Sequence, residues 1–182
     1  MRVCVYCAAS ANLAHHYFAA ARELGDGIAR RGWSLIYGGG GVGLMGAIAE
    51  AVRAGGGQVV GIIPQALLDR ERAYLQADEL IVTSTLRERK QLMDDHADAF
   101  ITLPGGFGTL EETLEILTLR QLAYHDKPII IVNVGGYFDP LLGMFEHIFG
   151  QGFAHTRHRG LYTVAPSSAA ALELLSESDS TQ

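Results

Sequence analysis

The segment LPGGFGTLEE, residues 103–112, places a glycine-rich loop directly before two carboxylates at the start of a predicted helix. Gly105, Gly106 and Gly108 have no side chains, so backbone N–H groups in this loop can approach a ligand closely. The positive end of the helix dipole favours an anion at the same place, and a phosphate is the expected ligand. The loop is not of the ATP-binding type, because no lysine follows its last glycine.

The two glutamates of this segment have different explanations. We expect Glu111 and Glu112 in the first turn of the helix, where the dipole favours carboxylates, and this suffices for Glu111. Glu112 lies on a different side, one turn before Ile116, and that side is partly apolar. A carboxylate there, beside an anion-binding loop, predicts a chemical role. Helix capping alone explains Thr109, but it does not explain three glycines in four positions.

Three cations lie together in TLRERKQLMDD, on the predicted helix before this loop. Arg87 and Lys90 are three residues apart and can share a helix face, whereas Arg89 lies on another face with Met93 one turn further on. Because the chain carries a net charge of −6, we interpret one of these cations as a ligand clamp rather than surface decoration. An arginine fork suits a phosphate or a neighbouring carboxylate.

A second glycine run, YGGGGVGLMG at residues 37–46, also follows a predicted strand and opens a helix. Gly39 and Gly40 are its candidate phosphate contacts. A dinucleotide-binding G-x-G-x-x-G pattern fits the run, but it follows the second strand, and the acidic residue expected at the end of the next strand is missing. A tight turn with close packing of helix on sheet is an equally good interpretation.

The elements that position these loops alternate regularly along the chain. Predicted strands with continuous apolar character are each followed by a helical pattern, which indicates a parallel sheet covered on both faces. We therefore predict an α/β fold with a Rossmann-like, doubly wound parallel sheet of about seven strands, whose ligands bind beyond the carboxyl ends of the strands. Residues 1–175 form a single domain, and residues 176–182 are expected to fray. The predicted strands are RVCVYC, WSLIYG, QVVGIIP, ELIVTS, DAFITLP, KPIIIVNV and GLYTV.

Composition narrows the function further. A net charge of −6 argues against a general nucleic-acid-binding protein, which needs a basic surface. The apolar runs are too short to cross a membrane, and we read no signal peptide, so a cytoplasmic location is expected. Cys4 and Cys7 lie in an apolar strand at an odd separation, which predicts buried thiols on opposite faces and neither a redox pair nor a metal site.

PGGFGTLEE resembles the PGGxGTxxE signature of the LONELY GUY family, the cytokinin riboside 5′-monophosphate phosphoribohydrolases. RERKQLM, YGGGGVGLMG, CVYCAAS and LAYHDKPIIIVNVGGYFDPLL resemble further segments of that family, and together the resemblance covers about residues 1–165. It implies hydrolysis of the N-glycosidic bond of an adenosine 5′-monophosphate, prenylated or not, by a homodimer without a cofactor, whose site lies near the subunit interface. CAAS departs from the Gly-Ser-Ser that members often show, although Ser10 is retained.

The resemblance also implies roles for individual residues. Arg89 and Glu112 match the catalytic pair. The residues that match its substrate-binding positions are Glu71, Lys90, Gly106, Phe107, Gly108, Thr109, Leu110, Glu111 and Thr118. The glycine loops themselves add Gly39, Gly40 and Gly105 as candidate substrate-binding residues, and the retained Ser10 is a further one.

Two alternatives remain beside this interpretation. A non-catalytic nucleotide-binding or carrier protein could use the same fold, and GGGGVG could serve a nicotinamide enzyme. Many members carry an older label as lysine decarboxylases, but a pyridoxal enzyme needs a Schiff-base lysine with its partners, and the chain has only Lys90 and Lys127.

The acid that protonates the leaving base is open: Asp94, Asp95 and His96 follow the cations, and each is equally well explained as a solvated helix end.

Overall fold

The computed structural model describes residues 1–68 and 73–179. Six α-helices and seven β-strands are found in this part of the chain, with short 3-10 turns at residues 65–67, 134–136 and 156–161. In chain order they are β1 Arg2–Tyr6, α1 His15–Arg30, β2 Ser34–Tyr37, α2 Gly43–Ala54, β3 Gln58–Pro64, β4 Glu79–Thr83, α3 Leu86–His96, β5 Ala99–Thr102, α4 Phe107–Gln121, β6 Ile129–Val132, α5 Asp139–Gly150, β7 Thr163–Ala165 and α6 Ser168–Asp179.

The strands form one parallel sheet in the order β4-β3-β2-β1-β5-β6-β7, which confirms the predicted fold class. The chain winds outward from β1 to β4 and then returns to pair β5 with the other side of β1. The switch point of this topology therefore lies between β1 and β5, where ligands of such sheets bind. The loops after these strands meet there, since the amide of Ala8 donates to the carbonyl of Pro104 at 3.2 Å.

Helices cover both faces of the sheet, because the central strands are apolar on both sides. On one face α1, α2 and α6 bury Leu24, Ile48 and Leu172 against the strands. On the other face α3, α4 and α5 contribute Met93 and further apolar side chains to a second core. The site residues on α3 and α4 thus belong to the same layer.

Cys4 and Cys7 pack into these two cores separately, as predicted. Cys4 belongs to the core under α3–α5 and Cys7 to the core under α1, α2 and α6, and both are free buried thiols. Burial raises the pKa of both thiols above the usual range, so neither is a reactive thiolate.

The end of the chain differs from expectation. α6 continues beyond residue 175 to Asp179, and Ser176 donates to the carbonyl of Leu172 at 2.9 Å and accepts from Arg31 Nε at 3.2 Å. The segment expected to fray from residue 176 therefore begins as ordered helix, and residues 180–182 lie outside the described residues. Within residues 1–68 and 73–179, no helix combines the length and apolar character needed to cross a bilayer.

Candidate functional site

The start of α3 is fixed by its own side chains, and this sets the position of the cations that follow. Thr85 caps the helix by accepting from the amide of Glu88 at 3.1 Å, and Glu88 reaches back to the amide of Ser84 at 2.7 Å. This arrangement resembles a capping box, with the returning bond made to the residue before the N-cap. Arg89 and Met93 are the buried residues of α3, which confirms the predicted face.

The start of α4 lies earlier than the sequence suggested. Gly106 is the N-cap and Phe107 the first helical residue, so Glu111 and Glu112 fall in the second turn, and the first turn holds no acidic residue. The prediction that both glutamates occupy the first turn was wrong, because the helix begins directly after the second glycine of the loop. The helix dipole, which fades beyond the first turn, therefore does not explain either carboxylate.

Arg89 and Glu112 form a buried ion pair between α3 and α4. Arg89 Nη2 donates to Glu112 Oε1, and each residue exposes only 7 % of its surface. Gly38, which follows β2, lies beside the guanidinium, since a Cβ there would be in van der Waals contact with Arg89 Nη2 at 3.4 Å. Charges this deeply buried are rarely found without a partner, and here each neutralises the other.

Lys90 forms a second, more exposed set of ion pairs beside the first. Its ammonium donates to Glu111, and it lies 2.6 Å from Glu115 Oε2. Burial lowers the pKa of Lys90, but the hydrogen bonds to Glu111 and Glu115 outweigh that effect and hold the pKa above its usual value. Lys90 therefore stays a cation at neutral pH, available to an anionic ligand.

These charges line one cavity of about 590 Å³. That volume is within the range of small-molecule binding sites. Its wall combines both ion pairs with apolar groups at the starts of α3 and α4. The lining residues are Leu67, Leu86, Arg87, Arg89, Lys90, Phe107, Gly108, Glu111 and Glu112.

The rest of the PGGFGT loop packs behind this cavity. A Cβ on Gly105 would lie 2.1 Å from Thr109 Oγ1, so glycine is required there by the threonine side chain. Thr109 is buried and makes no capping bond, in contrast to the interpretation of it as a cap. Leu110 is partly buried against the core under α3–α5. Gly106, as the N-cap, joins this packed part of the loop to the exposed Phe107.

The glycine run after β2 is used for packing. Gly39 adopts φ +76°, a Cβ on it would lie 2.9 Å from Ile63 Cβ, and its carbonyl accepts from the amide of Tyr74 at 2.9 Å. Gly40 forms an isolated antiparallel bridge with Ala73. Neither glycine lines the cavity, so the structure favours the tight-turn interpretation of this run over phosphate contact.

The start of α2 is likewise occupied by the protein itself. The amides of Leu44 and Met45 donate to the carbonyl of Ala8 at 2.9 and 3.3 Å, so an anion would have to displace that carbonyl. A Cβ on Gly43 would lie 2.6 Å from the carbonyl oxygen of Ser10, which places the backbone of Ser10 against this helix and its side chain outside the cavity lining.

Thr118, a further predicted contact, is not brought to the cavity. Thr118 donates to the carbonyl of Leu114 at 2.7 Å and faces a separate apolar groove between α4 and α5. It lies about 9 Å along the helix from Glu112, at 1.5 Å per residue. Glu71 lies outside the described residues.

The polar residues at the end of α3 have structural roles. Asp94 pairs with Lys127 at 3.0 Å, Asp95 accepts from Gln91 at 2.9 Å, and His96 Nδ1 lies 2.8 Å from the carbonyl of Leu92. None of the three lines the cavity of Arg89 and Glu112. Of the two interpretations left open for them, the structure favours the structural one.

The two lysines do not fit a pyridoxal cofactor. A Schiff base forms from a neutral amine, whereas Lys90 is held protonated by two carboxylates. Lys127 Nζ donates to the carbonyl of Asp94 at 2.6 Å and lies over the ring of Phe100. Across the part of the chain that the structure describes, no group of three or more His, Cys, Asp or Glu side chains is placed to bind a metal ion.

Sequence reasoning missed several residues of this site. Gly38 carries no signal that distinguishes it from the other glycines of its run, and its contact with Arg89 arises only in the folded chain. Leu67 and Leu86 carry no chemical signature. Tyr137, whose hydroxyl donates to the carbonyl of Gly105 at 2.7 Å, could have been noticed as an aromatic residue following a glycine pair at the end of a strand.

Comparison with known proteins identifies the family of this chain. A family model described as possible lysine decarboxylase matches residues 45–175. The probable cytokinin riboside 5′-monophosphate phosphoribohydrolase LOGL9 of Oryza sativa subsp. japonica is 43 % identical over 97 % of this chain and 78 % of its own length. The cytokinin riboside 5′-monophosphate phosphoribohydrolase LOG2 of Arabidopsis thaliana is also 43 % identical, over 97 % of this chain and 83 % of its own.

Solved structures share the fold at lower identity. The molybdenum cofactor carrier protein of Chlamydomonas reinhardtii superposes with a TM-score of 0.74 at 22 % identity, covering 97 % of this chain and 96 % of that protein. The molybdenum cofactor binding protein of Rippkaea orientalis gives a TM-score of 0.71 at 23 % identity, over 97 % and 94 %. Likeness at this identity shows the α/β architecture alone. The sequence relatives, by contrast, match 97 % of this chain at 43 % identity, and on that ground this protein belongs to the cytokinin riboside 5′-monophosphate phosphoribohydrolase family.

Proposed function

We propose that this protein hydrolyses the N-glycosidic bond of adenosine 5′-monophosphates, including prenylated ones, and releases the free base and ribose 5-phosphate. The observation that carries the proposal is the buried Arg89–Glu112 pair in the wall of a cavity at the amino end of α4. A carboxylate and a helix N-terminus side by side supply the two things this reaction needs. These are stabilisation of a positive sugar carbon and attraction of a 5′-phosphate.

In this proposal the phosphate binds at the first amides of α4. Amides in the first turn of a helix have no intrahelical acceptor, and the dipole adds partial positive charge. Arg87 and Lys90 line the same cavity and add cationic charge to it. Binding energy from the phosphate, which does not react, then positions the sugar for the bond that breaks.

The chemistry is assigned to Glu112. As the bond from C1′ to the base nitrogen breaks, its electron pair goes to the base and positive charge develops on C1′. Glu112 stabilises that charge, activates the attacking water or acts as nucleophile. In each case water supplies the hydroxyl that ends on C1′ and a proton that ends on the base. Arg89 Nη2 donates to Glu112 Oε1 and so fixes the orientation of this carboxylate.

A substrate panel tests the proposed function. The protein is incubated with AMP, prenylated AMP, other nucleoside monophosphates and adenosine, and free base is quantified by chromatography. We expect base from an adenosine monophosphate, and far slower release from adenosine because it lacks the 5′-phosphate. Nucleotide binding without base release would instead support the carrier alternative, and equal rates for AMP and adenosine would contradict the phosphate assignment.

The apolar part of the cavity wall suits a prenyl group on the base. Phe107 and Leu86 are 93 % and 55 % exposed, and with Leu67 they are the large apolar residues of the cavity lining. Large apolar side chains exposed beside charged groups commonly mark a binding surface. We infer that a prenyl chain gains its affinity here by burial of apolar area.

The Leu86→Ser variant tests this inference. We expect kcat/KM for prenylated AMP to fall about five- to tenfold, because contacts worth about 1 kcal/mol are lost, while kcat/KM for AMP stays within about twofold. Leu122→Ser, at an exposed leucine beyond the end of α4, is the matched control and should change neither value. Equal losses with both substrates would show that Leu86 does not contact the prenyl group.

We also propose that the protein is a homodimer, as the family resemblance implies. The apolar groove between α4 and α5, which contains Thr118 and the 43 % exposed Leu114, supports an interface there. Such an interface would explain how Thr118 contributes to a site that it does not reach within its own chain. Sedimentation equilibrium should give about twice the chain mass of 19.6 kDa, and a mass of one chain at micromolar concentration would refute the dimer.

A further inference from the structure

Tyr137 connects the turn after β6 to the glycine loop after β5. Its hydroxyl donates to the carbonyl of Gly105 at 2.7 Å in a partly buried setting. The two loops are neighbours because β5 and β6 pair in parallel, so both leave the sheet at its carboxyl edge. Tyr137 lies outside the cavity lining and outside the pairs formed by Arg89 and Lys90.

The turn that carries Tyr137 has a fixed shape. Gly135 and Gly136 adopt φ +60° and +76°, and a Cβ on Gly136 would lie 2.7 Å from Asp139 Oδ2. The side chain of Asn133 donates to Asp139 at 2.7 Å and accepts from the amide of Phe138 at 2.7 Å. Both glycines have left-handed backbone conformations, and the two hydrogen bonds of the Asn133 side chain hold the turn together. The backbone of this turn is therefore fixed in one conformation.

The ring of Tyr137 is also held by its neighbours. It packs edge to face against Tyr17 of α1, with centroids 5.7 Å apart, and against Phe138 at 5.0 Å. Such contacts between aromatic rings orient a side chain through their geometry. The hydroxyl is therefore directed at Gly105 by packing that does not depend on the hydrogen bond.

The bonded carbonyl controls the orientation of an amide. In a trans peptide the C=O of one residue and the N–H of the next point in opposite directions, and the described residues contain no cis peptide. Fixing the carbonyl of Gly105 therefore fixes the N–H of Gly106, which caps α4. A peptide between two glycines turns easily without such a restraint, since neither residue carries a Cβ.

We propose that Tyr137 is a positioning residue that holds the Gly105–Gly106 peptide in the orientation needed to bind the 5′-phosphate. This inference rests on the proposed function and adds a residue to its phosphate site. Tyr137 acts through the loop and touches neither the sugar nor the base, so its effect should appear in affinity for the phosphate and leave the chemical step unchanged.

The Tyr137→Phe variant removes the hydroxyl and keeps the ring. We expect KM for AMP to rise about five- to tenfold with kcat within about twofold of wild type, as for the loss of one hydrogen bond to the loop. The dissociation constant of ribose 5-phosphate, measured by titration calorimetry without turnover, should rise by the same factor. A general loss of folding would not produce this split between KM and kcat.

Tyr124→Phe is the matched control, because Tyr124 is 77 % exposed after the end of α4, and it should leave both constants unchanged. A KM and a dissociation constant within twofold of wild type in Tyr137→Phe would overturn the inference, as would a fall in kcat with unchanged affinity. Wild-type protein that releases no base from any monophosphate would defeat the proposed function, while the ribose 5-phosphate titration would still decide the role of Tyr137. Failure of wild type to bind ribose 5-phosphate would overturn the assignment of Tyr137 to a phosphate site, whereas base release from AMP would still decide the proposed function.

Discussion

Glu112→Gln should lower the turnover of AMP by about a hundredfold or more while the protein remains folded. Glutamine keeps the size of the side chain and an oxygen that can accept from Arg89, but it carries no negative charge. The charge on C1′ then loses its stabilising carboxylate, and water loses its base. Initial rates of adenine release at saturating AMP measure the loss, and circular dichroism confirms the fold.

Glu146→Gln provides the matched control for this variant. Glu146 of α5 also forms an ion pair with an arginine, Arg159, at 2.5 Å, but both of these side chains are about half exposed. The control should retain wild-type turnover. Turnover of Glu112→Gln within threefold of wild type would remove Glu112 from the chemistry and leave it a structural role only.

Replacing Arg89, the cation of the buried pair, should show separately how much the pair contributes to stability. Arg89→Met leaves the Glu112 carboxylate in the core without its cation, and we expect a loss of about 3–5 kcal/mol in the free energy of unfolding. The double variant Arg89→Met/Glu112→Leu removes both charges and should recover most of that loss, because well-packed apolar residues can replace a buried pair. Neither variant should release base at a measurable rate.

Urea unfolding at neutral pH measures these free energies. Arg159→Met, which breaks the exposed pair with Glu146, is the control and should leave stability unchanged within error. If the double variant is as unstable as Arg89→Met, the pair is not the source of the loss. Recovery of stability without activity, in contrast, would mean that Arg89 and Glu112 are kept together for chemistry.

The fold was predictable because the sequence pattern that produces it is local and recurs along the chain. Every residue of β5 and β6 is buried, as expected for central strands covered on both faces, and this pattern of continuous apolar strands alternating with helices allows few arrangements. The end of α6 was not predictable in this way, since the order of Ser176 depends on Arg31 of a different helix.

The central pair of the site was predictable for a related reason. Arg89 and Glu112 are polar residues on the buried sides of their helices, in register with Met93 and Ile116, and such residues need each other. The spacing of apolar residues could not place the start of α4. That spacing is the same whether the N-cap is Gly106 or a later residue.

The role of each glycine loop was decided by distant residues. Both loops carry the same local signal, yet the amides after the first loop are taken by the carbonyl of Ala8, and that carbonyl belongs to another strand's loop. In the same way, the target of Tyr137 follows from the pairing of β5 with β6. The residue types indicated which chemistry the chain could perform. Tertiary contacts determined which residues are brought together to perform it.

A crystal structure of Glu112→Gln with AMP tests the central claim most directly, because the slow variant should trap the intact nucleotide. We predict phosphate oxygens within hydrogen-bond distance of the backbone amides of residues 105–109, with C1′ of the ribose facing the side chain of residue 112. A phosphate bound at another place, or a ribose lying away from residue 112, would contradict the account.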